Sequence, residues 1–341
     1  MNFHPFEIAF CGHSGVGKTT LLTKLIHSLS PEFKIGYLKR DAHRFEMDKE
    51  GKDTYKAWHN GAARVFITDS THSALLSNSK EFTRSQMLEC DFVFVEGWKD
   101  SSLPKVIFID DHILEEIKDH NSIIAFIGKQ SAMSGLPARI PYFQRDEIDK
   151  ILFFLRDILL AWSERIPLYG LVLAGGYSQR MQRDKALIDY WGKSQGEHCF
   201  DLLSSVTERI YLSVRNEQSI LDNLPKITDR FLGFGPLGGI LSAMLAHPNA
   251  AWMVIACDLP NLDRKTLLEL RRQRAPFKFA TAYENLTTGH LEPLCAIYEP
   301  KCYLRFMEFL GNGIVSPIKM LALSSIKRIK LASSALENVN S

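Results

Sequence analysis

Gly12-His13-Ser14-Gly15-Val16-Gly17-Lys18-Thr19 follows the apolar run of residues 8–11 and precedes Leu21, Leu22, Leu25, Ile26 and Leu29, which recur at helical spacing. The run predicts a strand and the spacing a helix over residues 19–28, so the glycine-rich segment joins the two. Gly-x-x-x-x-Gly-Lys-Thr in a strand-loop-helix context is the P-loop pattern. Gly12, Gly15 and Gly17 let the backbone wrap phosphate oxygens, so that successive N–H groups and the helix start face negative charge. Lys18 is placed to reach the terminal phosphates, the Thr19 hydroxyl to ligate Mg²⁺, and Thr20 to join the nucleotide-binding set.

Outward from this loop, short apolar runs at residues 34–39, 92–95, 106–109 and 123–127 alternate with helical patterns. Such alternation predicts a mainly parallel sheet of the P-loop NTPase kind. Residues 91–97 read as a strand ending in Glu96, a carboxylate that would position Mg²⁺ or a water; a helix cap or an ion pair is the alternative. Residues 151–162 form an apolar helix that closes this first domain, and Arg156 and Asp157 in its middle argue against a membrane span. The polar stretch 163–167 ends in Pro167, which disfavours helix just before it and marks the boundary. Two α/β domains are expected, residues 1–165 and 168–341.

From Leu168 the pattern restarts, with strands expected at residues 169–173, 210–214, 252–256 and 277–282. Apolar helix faces between them come from Leu202 and Leu203, from residues 240–245 and from residues 267–270, a Rossmann-like arrangement. At the end of the first of these strands, Leu173-Ala174-Gly175-Gly176 makes a turn with no Cβ of its glycines in a nucleotide's way. Arg180 and Lys185 follow, and two cations on a loop suit a triphosphate whose pyrophosphate leaves, since they stabilise the charge that develops there. Asp258 emerges at the carboxyl edge of a predicted strand, where open α/β sheets bind ligands; a helix N-cap is the alternative.

With 341 residues the chain exceeds what one hydrophobic core usually serves, and 45% hydrophobic and 23% charged residues suit an ordinary globular protein with two cores. A net charge of +2 gives no reason to expect a nucleic-acid partner. The six cysteines form no Cys-x-x-Cys pair, which favours buried, reduced thiols. The N-terminus lacks the basic start and apolar core of a secretory signal, and no stretch is long and apolar enough for a membrane span, so a cytoplasmic protein without membrane partners is expected.

His43, Asp48-Lys49-Glu50-Gly51-Lys52-Asp53-Thr54 and Val95-Glu96-Gly97-Trp98-Lys99 together resemble the MobB family, the GTP-binding accessory proteins of molybdenum cofactor maturation. The likeness covers roughly residues 5–130, with a departure at Lys39-Arg40-Asp41-Ala42-His43 where the family carries a lysine-histidine stretch. Leu-Ala-Gly-Gly-x-Ser-x-Arg-Met-x-x-Asp-Lys-Ala-Leu over residues 173–187 resembles the MobA family of nucleotidyltransferases, with Gln182 where that family usually has glycine.

The second resemblance implies that Asp229 and Gly235-Pro236-Leu237-Gly238-Gly239 shape a nucleotide pocket and that Asp258, in Ile255-Ala256-Cys257-Asp258-Leu259-Pro260, holds Mg²⁺ against the α-phosphate. It also implies that residues 290–295 line the acceptor site, with His290 either a contact or a polar rim residue, and that Asn338 or Asn340 approaches the site unless the terminus is frayed. Together the two imply a fused molybdenum cofactor guanylyltransferase acting on GTP and Mo-molybdopterin with Mg²⁺. Implied partners are a molybdopterin-delivering protein and molybdoenzyme apo-proteins. Rival readings are a cytidylyltransferase for the same cofactor, a transferase for another phosphorylated acceptor, and a non-catalytic GTP-dependent delivery adaptor.

Overall fold

The computed structural model describes residues 4–40, 49–77, 83–109, 120–128, 136–174, 187, 192–215, 221, 223–259, 261–286, 288–331 and 336. The chain divides into two compact units, Met1–Ile158 and Leu159–Ser341. Among the described residues no helix is long and apolar enough to cross a membrane.

In the first unit, β1 (Glu7–Cys11), β2 (Ile35–Lys39), β5 (Phe92–Glu96), β6 (Lys105–Phe108), β7 (Ile123–Gly128) and β8 (Tyr142–Gln144) form one sheet in the order β2-β5-β1-β6-β7-β8. Every pairing in it is parallel. Strands covered on both faces read as unbroken apolar runs, and β1 and β5 are buried at every position. Helix α1 (Lys18–Leu29) buries Leu21, Leu22, Leu25 and Leu29, each burial contributing about 1.5–3 kcal/mol against exposure.

Several elements of this unit have no counterpart in the strand and helix assignments made from sequence: α2 (Asp53–His59), the hairpin of β3 (Arg64–Thr68) with β4 (Ser73–Ser77), α3 (Thr83–Leu88) and the edge strand β8. The hairpin forms a separate two-stranded sheet and leaves Phe66 and Ile67 more than half exposed, so no buried face repeats in its sequence. The closing helix, α4 (Ile148–Glu164), is longer than the predicted 151–162. Its mid-helix Arg156 pairs with Glu32 at 2.7 Å. The division between the units falls inside α4, ahead of the polar stretch expected to carry it.

The second unit contains β9 (Leu168–Leu173), α5 (Gln195–Ser204), β10 (Arg209–Val214), β11 (Lys226–Thr228), α6 (Pro236–Ala246), β12 (Ala251–Ala256) and α7 (Arg264–Arg272). It continues with β13 (Ala280–Asn285), β14 (Leu291–Tyr298), α8 (Cys302–Gly311), α9 (Pro317–Ala322) and β15 (Ile326–Leu331). The sheet runs β11-β10-β9-β12-β14-β13-β15, with β14 antiparallel to both neighbours. Helices separate the early strands as expected, but β13 and β14 meet as a hairpin. The strand placed at 277–282 begins instead at Ala280, because Phe277 and Phe279 are buried from the turn before it, at 8% and 1% exposure.

Helix α6 lies hard against this sheet. A Cβ on Gly239 would come within 2.2 Å of Ser213 Oγ and 2.9 Å of Leu173 Cδ2, and one on Gly238 within 2.2 Å of the Phe231 carbonyl oxygen. Only hydrogen at these two positions lets the helix start reach the carboxyl edge of β9 and β10. All six cysteines are free thiols and five are buried, in line with the expectation of reduced cysteines.

Candidate nucleotide sites

The P-loop leaves β1 at Cys11 and enters α1 at Lys18. Gly15 and Gly17 sit in the left-handed region, at φ 80° and 91°, and Gly17 is the N-cap. Because glycine adopts that region without Cβ strain, the loop can turn its N–H groups toward one point. Gly12 packs so tightly on Phe108 that an added Cβ would meet the Phe108 Cβ at 2.8 Å. Lys18 Nζ donates to the loop's own carbonyls, Gly12 O at 2.8 Å and His13 O at 2.7 Å. Thr20 is exposed in the first turn of α1.

Glu96 ends β5, beside Phe10 of β1 and Lys39 of β2 in the register of the sheet. It is 6% exposed and accepts Thr19 Oγ1 at 2.9 Å on both carboxylate oxygens. Tyr37 OH donates to its Oε2 at 2.6 Å. Burial, and then this bond to a carboxylate, push the Tyr37 hydroxyl far above its ordinary pKa. Of the readings open for Glu96, the helix cap is excluded, since the residue ends a strand and its carboxylate accepts from the side-chain hydroxyls of Thr19 and Tyr37. A hydroxyl and a carboxylate in contact are hard oxygen donors of the kind Mg²⁺ takes alongside phosphate oxygens and waters, so the pair fits the ion.

After β5 the chain turns through Gly97 and Trp98, both left-handed at φ 93° and 65°. Arg40 stacks its guanidinium 5.1 Å from the Trp98 ring centroid, which places a residue of the departing lysine-histidine stretch beside Glu96. Gly51-Lys52-Asp53 opens α2: Gly51 is left-handed at φ 88°, Lys52 is the N-cap and Asp53 the first helical residue. Asp41, Ala42, His43 and Asp48 lie outside the described residues.

In the second unit a cavity of about 460 Å³ opens at the carboxyl edge of β9, β10 and β12. Its lining includes Leu173, Ser213, Arg215, Asp229, Gly235 and Asp258. Asp229 follows β11 and accepts Ser213 Oγ at 2.6 Å; burial raises its carboxyl pKa, against the Ser213 bond and the Arg215 charge, which lower it. Gly235, at φ 56°, is the N-cap of α6, and Pro236 is at its first turn, so the positive end of the helix dipole borders the cavity.

Asp258 stands two residues beyond β12. The N-cap of α7 is Asp263, whose carboxylate accepts Thr266 N at 2.8 Å, so Asp258 is not that cap. The antiparallel register of β12 with β14 ends at Ile255↔Cys295; Asp258 lies in the turn beyond it, within electrostatic reach of Glu292. Burial raises the Glu292 pKa, a bond from Leu294 N lowers it, and the like charge of Asp258 raises it further. Ala174 is buried beside the cavity strand. Gly175, Gly176, Arg180, Gln182, Lys185, Pro260, Asn338 and Asn340 lie outside the described residues. His290 is an exposed residue of the β13–β14 turn, which is the rim reading.

Sequence reasoning did not single out Tyr37, Ser213 or Arg215. The rule that ligands gather at carboxyl strand ends could have found the last two, which end or follow β10. Among the described residues no group of three His, Cys, Asp or Glu side chains gathers. Mg²⁺ does not require one, since it is commonly bound through one or two carboxylates plus substrate phosphates, and the Asp258 carboxylate at the cavity wall, with Glu292 in electrostatic reach, has the oxygen chemistry for it.

Two family profiles match the chain: "Molybdopterin guanine dinucleotide synthesis protein B" (MobB) over residues 7–129, and the "MobA-like NTP transferase domain" over residues 170–323. A "Molybdenum cofactor biosynthesis bifunctional protein" of Synechocystis is 40% identical over 167 residues, covering 48% of this chain and 48% of that protein. The "Molybdopterin-guanine dinucleotide biosynthesis adapter protein" of Escherichia coli is 33% identical, covering 35% of this chain and 75% of that protein. A "Probable molybdenum cofactor guanylyltransferase" of Flavobacterium johnsoniae is 33% identical, covering 38% and 67%. The match thus spans about half the length of the bifunctional relative.

Proposed function

The chain belongs to the MobB family through its first unit and to the MobA-like nucleotidyltransferases through its second, and from that premise we propose that it makes molybdopterin guanine dinucleotide. GMP is transferred from GTP to Mo-molybdopterin and pyrophosphate is released. The observation that carries this reading is the cavity at the carboxyl edge of β9, β10 and β12, which places Asp258, Asp229 and the N-terminus of α6 around one volume.

A phosphate oxygen of molybdopterin attacks the α-phosphorus of GTP, and the bond from that phosphorus to the β-phosphate bridging oxygen breaks. No side-chain nucleophile is required, so the protein acts mainly by in-line positioning. Asp258, with Glu292 in electrostatic reach, would hold Mg²⁺, which would supply charge neutralisation at the phosphates. Arg180 and Lys185 draw the β- and γ-phosphates on the strength of the sequence pattern. Asp229 and Ser213 orient the nucleoside, and the start of α6 faces its polar groups. The MobB-like unit binds a second GTP through Lys18, Thr19 and Glu96. The product passes to molybdoenzyme apo-proteins, and the location is cytoplasmic.

Turnover of GTP and of CTP with molybdopterin, read as pyrophosphate release, tests the reaction. Product from GTP is expected; product from CTP alone would give the chain to the cytidylyltransferase reading. Cofactor delivery to an apo-enzyme without any pyrophosphate from the parent protein would make it an adaptor.

A further inference from the structure

Glu96 accepts from two hydroxyls: Thr19, whose single proton is shared between both carboxylate oxygens, and Tyr37. A Thr19 hydroxyl that ligates a cation does so through an oxygen lone pair and can go on donating its proton to Glu96, and the Tyr37 bond can stay as well. Strand β2 pairs with β5 in the register Tyr37↔Phe94 and Lys39↔Glu96, so Tyr37 stands two residues before the partner of Glu96 and on the same face. From that diagonal its ring spans to Oε2 and closes a contact of 2.6 Å. The carboxylate is 6% exposed and ends a strand fixed on both sides, so its backbone cannot wander; only its side-chain torsions remain to be held.

We propose that Tyr37 is the positioning residue of the P-loop site: its hydroxyl pins Oε2 of Glu96 and so holds the carboxylate in the orientation that meets the Thr19 hydroxyl and faces a magnesium-bound nucleotide. This rests on the reading of the loop as a GTP site. Tyr37 acts through Glu96 and touches neither phosphate nor base. Its contribution is therefore confined to the part of nucleotide affinity that depends on Mg²⁺.

The test uses the full chain and a fluorescent GTP analogue, titrated with Mg²⁺ and with EDTA, in the parent, Tyr37→Phe, Glu96→Gln, the double variant and Lys18→Ala. Tyr37→Phe keeps the ring and removes only the hydroxyl. The ratio of affinity with Mg²⁺ to affinity in EDTA is expected to fall about tenfold, the scale of one hydrogen bond to a charged group. In the Glu96→Gln background the same change should alter that ratio less than about twofold, since the coupling runs through the carboxylate. An unchanged ratio in Tyr37→Phe, or a parallel loss in both arms, overturns the assignment. A parent indistinguishable from Lys18→Ala in both arms overturns the GTP reading of the loop itself, along with the role of Tyr37.

Discussion

Lys18 and Thr19 of the first unit already hold hydrogen bonds within the protein, to the carbonyls of Gly12 and His13 and to Glu96. Asp229 and Asp258 of the second unit instead border a cavity of about 460 Å³, whose wall is fixed by the close seating of α6 at Gly238 and Gly239. Binding at the first site exchanges one set of hydrogen bonds for another, so affinity there is a difference between two bonded states. Binding at the second fills a space whose shape the backbone sets beforehand, which cuts the cost of ordering on association. The comparison separates a site governed by side-chain exchange from one governed by backbone packing.

The largest expected effect tests the second half of that contrast. Asp258→Ala should lower pyrophosphate release from GTP and molybdopterin by about a thousandfold, since metal-assisted charge neutralisation contributes several kcal/mol to such transfers. A variant that retained a tenth of the parent rate would remove Asp258 from the chemistry. Lys18→Ala comes next. Binding of a GTP analogue to the first unit should weaken about a hundredfold, the worth of charge-assisted bonds to phosphate less those the lysine makes to its own loop. Calorimetric titration reads this, and a change below about threefold would show that the internal bonds equal those to the ligand.

Packing and backbone can then be weighed against each other. Gly238→Ala sets a Cβ against the Phe231 carbonyl, which cannot rotate away, and should cost about 2–3 kcal/mol in urea unfolding of the second unit. Gly51→Ala meets nothing within 4 Å but keeps a left-handed backbone at φ 88°, and should cost about 1 kcal/mol. Equal losses would erase the distinction drawn between the two regions.

The smallest effect is a matter of pH. Burial raises the folded-state pKa of Asp229, so the folded protein binds its proton more tightly than the unfolded chain does. The stabilisation from this group is complete below the unfolded pKa and is lost as pH rises through the raised folded value. Asp229→Asn keeps an acceptor for Ser213 and should flatten that part of the profile, read as melting temperature from mildly acidic to neutral pH. A profile of unchanged slope would mean that the carboxylate is ionised at no cost in the fold.

Central strands were legible because burial on both faces leaves an unbroken apolar run, as in Phe92–Glu96 and Ala251–Ala256. The P-loop was legible because glycine and lysine at fixed spacing carry a local conformation. The β3–β4 hairpin was not, since adjacent Phe66 and Ile67 are both exposed and no alternating buried face marks its strands. Nor was the reversed direction of β14: Leu291–Tyr298 shows an apolar strand, but orientation depends on its partners β12 and β13. Contacts set by register were out of reach for the same reason. Tyr37 meets Glu96 across 59 residues, and Asp258 comes within electrostatic reach of Glu292 only once β12 and β14 are paired.

The reversal of β14 has a consequence for engineering. Because β14 runs against β12, the five-residue turn from Leu286 to His290 hangs at the same rim as Asp258, joined to the sheet by a hairpin whose ends are tied by Asn285 N to His290 O at 2.9 Å. Its described residues, Leu286, Thr288, Gly289 and His290, are exposed, so length and sequence there can be exchanged while both strands keep their partners. The fold thus carries an interchangeable loop at the end of β12 where Asp258 lies, and that rim can be varied by grafting loops rather than by rebuilding the core.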